Sequence, residues 1–254
     1  MNYFFISPHL DDAIFSAGDL ISKLSKTSPV TIITVFSEVI KGPSTLFAKL
    51  FIHKSGFSSS QKLFSARRHE DNNVCKSLGI QNIHLNYIDV AWRKKARGHT
   101  MEKFIPELAH LYPTRFHILS GCIHKEDNQM MQSIAHELKH LIPRSPDTVV
   151  FCPLGVGNQV DHIIVRDICK KNFIRVLYWQ DYPYILKYAP NSSFMNRNKL
   201  KCRSFMDISI KSKFMLGYKS QIRAYFKKKI IQPSIEKYYS NKRSLLDLIG
   251  DNLQ

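Results

Sequence analysis

Short apolar runs alternate along this chain with stretches in which apolar residues recur every third or fourth position. Tyr3–Ile6 is an unbroken apolar run closed by Ser7-Pro8, the pattern of a buried strand. From Asp12 onward Ala13, Ala17, Leu20, Ile21 and Leu24 keep helical spacing. The β-branched run Val30–Phe36, bounded by Pro29 and Ser37, predicts a second strand, and a long Ser-, Lys- and Phe-bearing loop is expected from there to about Ser60. Leu63, Ala66, Val74 and Leu78 predict a helix stopped by Gly79, and Ile83–Tyr87 a third strand. Ile118-Leu119 reads as a further short strand. Met131, Ile134, Ala135, Leu138 and Leu141 read as a helix halted by Pro143. Thr148–Cys152 and Arg175–Trp179 are then strands flanking a short helix after His162. Strand and helix patterns alternate, which predicts an α/β fold with a mostly parallel sheet and helices on both faces. No repeat or linker divides residues 1–254, so a single domain is expected. Its last part, about 194–254, is more polar and forms an appended strand-and-helix region.

Composition changes this picture little, and charge more. With 44% hydrophobic and 22% charged residues the chain is an ordinary globular one. No apolar run is long enough for a membrane span, and no basic segment precedes the first apolar run. The 5 cysteines are odd in number and form no Cys-x-x-Cys, which predicts reduced thiols and a cytoplasmic setting. The net charge is +17, and residues 194–254 carry 14 basic against 4 acidic side chains. Lys227-Lys228-Lys229 is the densest point. Such an excess is either a solvated surface or a means of attracting an anionic substrate, glycan or headgroup. No recognisable nucleic-acid motif accompanies it, so no specific nucleic-acid partner is expected.

The chemistry concentrates at two strand-end turns. Ser7-Pro8-His9-Leu10-Asp11-Asp12 places one imidazole and two carboxylates between the first strand and the first helix, where a doubly wound sheet holds its ligands. Either aspartate could instead cap the helix. After Thr148–Cys152 comes Pro153-Leu154-Gly155-Val156-Gly157-Asn158-Gln159-Val160-Asp161-His162. Its glycines permit close backbone approach, and it ends on another Asp-His pair. His9, Asp12 and His162 make a two-histidine, one-carboxylate set that suits Zn²⁺ with positions open for water and substrate. The set also suits Fe²⁺ or another divalent metal. Asp11 is then left free beside the metal to act as a base.

These two segments resemble the signature motifs of the PIG-L/LmbE-like zinc N-deacetylases. The similarity continues through Arg67-Arg68-His69-Glu70-Asp71, Leu85-Asn86-Tyr87-Ile88-Asp89, Gln180-Asp181-Tyr182-Pro183-Tyr184 and Tyr218-Lys219-Ser220-Gln221, in family order. The resemblance implies a Rossmann-like fold and a metal-dependent hydrolase that removes the acyl group of an N-acetylglucosamine-type amide. It implies one Zn²⁺ on His9, Asp12 and His162, with Asp11 as general base. Arg67, Asp89 and Asn158 are implied as substrate-binding residues, and the partner is a small-molecule or glycan substrate, either neutral or anionic. Two departures stand out. Ala13 replaces the commoner acidic residue, and Gln159 stands where the family usually has a histidine that steadies the oxyanion or protonates the leaving amine. Glutamine can donate a hydrogen bond but cannot shuttle a proton, so a degenerate member that binds a sugar or nucleotide sugar without hydrolysis is the alternative.

A second pattern competes. His136-Glu137-Leu138-Lys139-His140 matches the His-Glu-x-x-His of zinc proteases on a predicted helix. Lys139 within it suits a solvated face, and no glutamate between Glu137 and Glu236 offers a nearby third ligand. A module driven onto nucleic acid or a membrane surface by the C-terminal charge is a further class, marked by steep salt dependence without a metal requirement.

Overall fold

The computed structural model describes residues 1–205, 210–226, 231 and 234–249. Lys227-Lys228-Lys229 lies outside the described residues. The strands are β1 (Asn2–Ser7), β2 (Val30–Glu38), β3 (Gln81–Ile88), β4 (Thr148–Pro153), β5 (Val176–Trp179), β6 (Lys201–Phe205) and β7 (Glu236–Ser240). They form one seven-stranded sheet in the order β3-β2-β1-β4-β5-β7-β6. The first five are parallel, and β7 and β6 add on antiparallel beside β5. The helices are α1 (Asp12–Leu24), α2 (Leu46–Ser55), α3 (Ser60–Ser77), α4 (Arg115–Ile118), α5 (Asp127–Leu141), α6 (Val160–Asn172), α7 (Ser192–Arg197), α8 (Lys211–Met215), α9 (Lys219–Tyr225) and α10 (Arg243–Asp247).

The period of two along each central strand divides the core into two layers. Tyr3, Phe5, Ile32, Val149 and Phe151 face one cluster with α1, while Ile6, Ile33, Val35, Val150 and Cys152 face the other with α5 and α6. Phe5 stacks on Phe151 at 4.3 Å between centroids, which locks β1 to β4 at the centre of the sheet. Because β1 is flanked by β2 on one side and β4 on the other, the chain leaves its carboxyl end and that of β4 in opposite directions. The crevice so formed is where such sheets take ligands.

Three expectations need correction. The expected loop to Ser60 contains α2: Thr45 accepts from the Ala48 N–H, Gly56 ends the helix at φ +88°, and Ala48 and Ile52 are buried. Gly42-Pro43-Ser44 before it and the serines after it obscure this short helix in the sequence. Ile118-Leu119 is not a strand but the end of α4, Leu119 being its C-cap, and the segment adds no strand to the sheet. The helix expected after His162 is a 13-residue one that starts at Val160, so His162 sits in its first turn.

Buried carboxylates help tie the appended region to the core, Glu236 among them. α1 breaks regular geometry at Ala17 (φ −137°), and Glu236 of β7 accepts from the Asp19 and Leu20 N–H groups just beyond (2.9 and 3.1 Å). The Tyr238 hydroxyl and the Lys211 ammonium complete its partners at 2.7 and 3.4 Å. Removing one partner of such a buried set typically costs about 3–5 kcal/mol. Glu236→Ala is therefore expected to lower the thermal midpoint by on the order of 10 °C, measured by calorimetry; a midpoint equal to the wild type would deny this carboxylate its bracing role.

Candidate metal centre and acid–base site

The turn after β1 is held rigid by its own short side chains. The Ser7 hydroxyl donates to the His9 carbonyl (2.6 Å) and accepts from the Ala13 N–H (3.0 Å), while the Phe36 N–H pins the Pro8 carbonyl to β2. Ser7 thus serves the start of α1, and Asp11 makes no side-chain capping bond. Asp11 is therefore free of the capping duty that the sequence left open, whereas Asp12 Oδ2 accepts from the His9 backbone N–H at 2.9 Å.

His9, Asp12 and His162 converge. Asp12 Oδ2 lies 2.9 Å from His9 Nδ1 and 3.2 Å from His162 Nε2, and one donor atom of each residue falls within 4.8 Å of the others. All three are buried. His162 Nε2 is enclosed, and its 3.2 Å approach to Asp12 is not aligned as a hydrogen bond. A buried imidazole nitrogen without a well-aligned partner, facing a carboxylate shared with a second imidazole, is a donor set that fits a divalent metal.

The remote nitrogen of each histidine rests on a carboxylate. His162 Nδ1 meets Asp181 Oδ1 at 2.6 Å, and Asp181 Oδ2 accepts from the Gly155 and Val156 N–H groups at 2.8 and 2.9 Å. Gly155 (φ +85°) permits this loop, since a Cβ there would meet Ile163 at 2.6 Å. His9 Nε2 faces Asp161 Oδ2 at 3.1 Å and Asp89 Oδ2 at 3.6 Å. Asp161 is itself clamped by Arg93 and by the Val90 N–H. His9, Asp89 and Asp161 form a second cluster of possible donors, but the Arg93 guanidinium already neutralises Asp161 and argues against a cation there. This outer layer orients the rings and raises their basicity.

Electrostatics agree with this division. Burial pushes the Asp12 carboxyl up, yet the imidazoles of His162 and His9 hold it well below the usual carboxylate range. Burial alone would lower His162, but Asp12 and Asp181 raise it to about 9, and His9 is likewise raised by Asp12, Asp161 and Asp89. A cation binding between them displaces those protons. Asp11 differs: burial raises it to about 6, opposed by the Arg67 guanidinium, whose Nη2 donates to Oδ1 at 3.0 Å.

Among the other expected site residues, Arg67 is 2% exposed and contacts Asp11, and Asp89 accepts from the Ala91 N–H while facing His9. Gln159 caps α6, its Oε1 accepting from the His162 N–H at 3.1 Å, so only its amide NH₂ remains to face a substrate. Asn158 (φ +56°) lines a cleft of about 490 Å³ with Arg115, Phe116, Gly157, Tyr188 and Asn191. The Tyr184 ring stands edge-on to His162 at 5.2 Å, in the space that a Cβ on Gly157 would take (2.7 Å). In the sequence Asp181 and Tyr184 stand within a motif and Asp161 at a turn, and nothing local assigns a role to any of them or to Arg93. Their contacts span up to 152 residues, and only the fold brings them in. The zinc-protease pattern does not form a site: His136, Glu137 and His140 supply no converging donor set among the described residues, and Glu137 accepts from the Tyr87 hydroxyl at 3.0 Å.

A family model described as PIG-L, GlcNAc-PI de-N-acetylase, matches residues 4–173. No curated protein matches the sequence. Among solved structures, the fold is similar to a deacetylase of the teicoplanin biosynthesis pathway (TM-score 0.71, 18% identity, covering 94% of this chain and 97% of the other). It is also similar to the zinc-inhibited form of teicoplanin deacetylase (0.68, 17%, 94% and 97%). A third likeness is the deacetylase of the A40926 pseudoaglycone (0.61, 19%, 94% and 96%).

Proposed function

This chain belongs to the PIG-L family, described as GlcNAc-PI de-N-acetylase, and from that premise we propose that it is a metal-dependent hydrolase removing the acetyl group from the amide of an N-acetylglucosamine-type sugar conjugate. The observation that carries the reading is the buried convergence of His9, Asp12 and His162 with a second carboxylate, Asp11, left unligated beside them. When bound by these three residues, a Zn²⁺, Fe²⁺ or similar ion lowers the pKa of a coordinated water toward ~7 and polarises the acyl carbonyl. Asp11 takes the proton of the attacking water, its other role fixed by Arg67, which holds the carboxylate in place and favours its ionised form. Gln159 and Tyr184 both contact His162, and the amide NH₂ of the one and the phenol of the other would be the donors for the oxyanion that develops on the carbonyl oxygen. Proton return to the leaving amine falls to Asp11 once it has been protonated, since Gln159 cannot serve.

The rival within the family, a binder without turnover, is favoured by Gln159 alone. Losing one oxyanion donor typically costs ~2.7–4 kcal/mol, so a glutamine substitute slows hydrolysis without abolishing it. Acetate release from N-acetylhexosamine conjugates, with and without a chelator, is expected to be slow and metal-dependent in the wild type and faster in Gln159→His. Release by the Gln159→His variant alone would make the natural chain a binder. Release by neither across a broad amide panel would contradict the hydrolase reading.

A further inference from the structure

The rim of the site toward the β3 edge of the sheet carries exposed apolar side chains set among lysines. Two segments build it. One follows β2 and presents Ile40, Leu46 and Leu50; the other follows β3 and presents Met101, Phe104 and Ile105. Leu46, Leu50 and Phe104 are 64%, 50% and 80% exposed. The segments are adjacent: the Leu46 N–H donates to Glu107 Oε1 at 2.8 Å, and the Lys94 ammonium lies 3.3 Å from where a Gly42 Cβ would stand. Both leave the sheet at carboxyl ends of parallel strands, the side on which the metal centre lies. α2, which carries Leu46 and Leu50, also sets Phe51 edge-on to Trp92 (6.4 Å), in the turn that begins at Asp89 beside His9.

The charge around this face is mainly positive. No acidic residue occurs between Glu38 and Glu70, and Lys41, Lys49 and Lys54 are exposed there. Lys95, Arg97 and Lys103 are exposed on the second segment; of the glutamates there, Glu102 is paired with Lys94 (3.6 Å), while Glu107 and Glu126 accept from the Leu46 and Ala96 N–H groups and keep their charge, so cations outnumber anions. A soluble anion has no use for apolar side chains this exposed, whereas an anionic bilayer accepts both: phenyl and leucyl groups at the headgroup–acyl boundary and ammonium groups over the phosphates. We propose that this face docks the chain on an anionic lipid bilayer. Docking brings the mouth of the site to a glycan presented at the membrane. That consequence rests on the deacetylase reading; the docking itself does not.

Flotation of the full chain with vesicles of phosphatidylcholine, alone or in an equimolar mixture with phosphatidylglycerol, tests it. Salt-sensitive binding to the mixed vesicles and little to the neutral ones is expected. Each lysine near the surface contributes about fivefold, so Lys41, Lys49 and Lys103 changed together to Gln should weaken binding about 100-fold. Leu46→Ser with Phe104→Ser should weaken it about tenfold or more by removing apolar area. Both variants should release acetate from a soluble conjugate as the wild type does, and vesicle binding reads out the docking whether or not the chain hydrolyses amides. Equal binding to both vesicle types, or unchanged binding by the variants, would overturn the proposal. So would a concentration-dependent dimer that Phe104→Ser dissociates without vesicle binding, which would give the face to a second copy, or capture by an acidic protein with no affinity for vesicles.

Discussion

Asp11→Asn is expected to keep its metal and to lose turnover by about 10²–10⁴-fold, the usual span for a general base. The argument is geometric. Asp12 is the carboxylate between the two imidazoles, whereas Asp11 Oδ1 is committed to Arg67 Nη2 at 3.0 Å and its side chain takes no part in capping α1. Asparagine preserves the shape and can still meet a hydrogen-bonding neighbour, but it cannot accept a proton from water. The loss should therefore appear in kcat with KM little changed, the signature of an interaction made in the transition state. Elemental analysis of the same preparation separates base from ligand. Metal lost from Asp11→Asn as readily as from Asp12→Asn would exchange the two roles.

A graded pair at His162 makes the second prediction. His162→Ala removes a donor outright and should abolish both bound metal and acetate release. Asp181→Asn leaves the donor in place but removes the carboxylate on its remote nitrogen, and changes of this kind typically weaken metal binding by about 10–100-fold. Asparagine can still accept one hydrogen bond from Nδ1, but it offers no negative charge to the imidazole, and its NH₂, a donor, can accept neither the Gly155 nor the Val156 N–H. Activity of Asp181→Asn should recover when the metal concentration is raised, and that of His162→Ala should not. Titration with zinc and with iron(II) reads this directly, and identical metal affinity of Asp181→Asn and the wild type would remove Asp181 from the account.

Much of this site was legible because its key residues lie in two short segments, each at the end of an apolar run. His9, Asp11 and Asp12 follow the first strand and His162 follows the fourth, and the alternation of strands and helices already implied that such ends share one side of a parallel sheet. What escaped the sequence is the layer behind the donors. Asp161 reads as one more polar residue in a turn until Arg93 and His9 close on it from 68 and 152 residues away. Gln159 reads as a departure from a catalytic histidine, while its hydroxyl-like duty as the cap of α6 depends on where that helix begins. The insertion of β7 between β5 and β6 has no local signal either, because an antiparallel strand of five residues pairs by what lies beside it. Glu236 illustrates the point: nothing nearby in sequence announces that it will hold the broken middle of α1.

The central claim is that His9, Asp12 and His162 hold one metal ion. Its most direct test is the metal content of purified protein after exhaustive dialysis, compared with that of His162→Ala and of His140→Ala. About one equivalent per chain in the wild type, the same in His140→Ala and none in His162→Ala is the predicted result. Equal metal in the wild type and His162→Ala, or its loss from His140→Ala alone, would contradict the account.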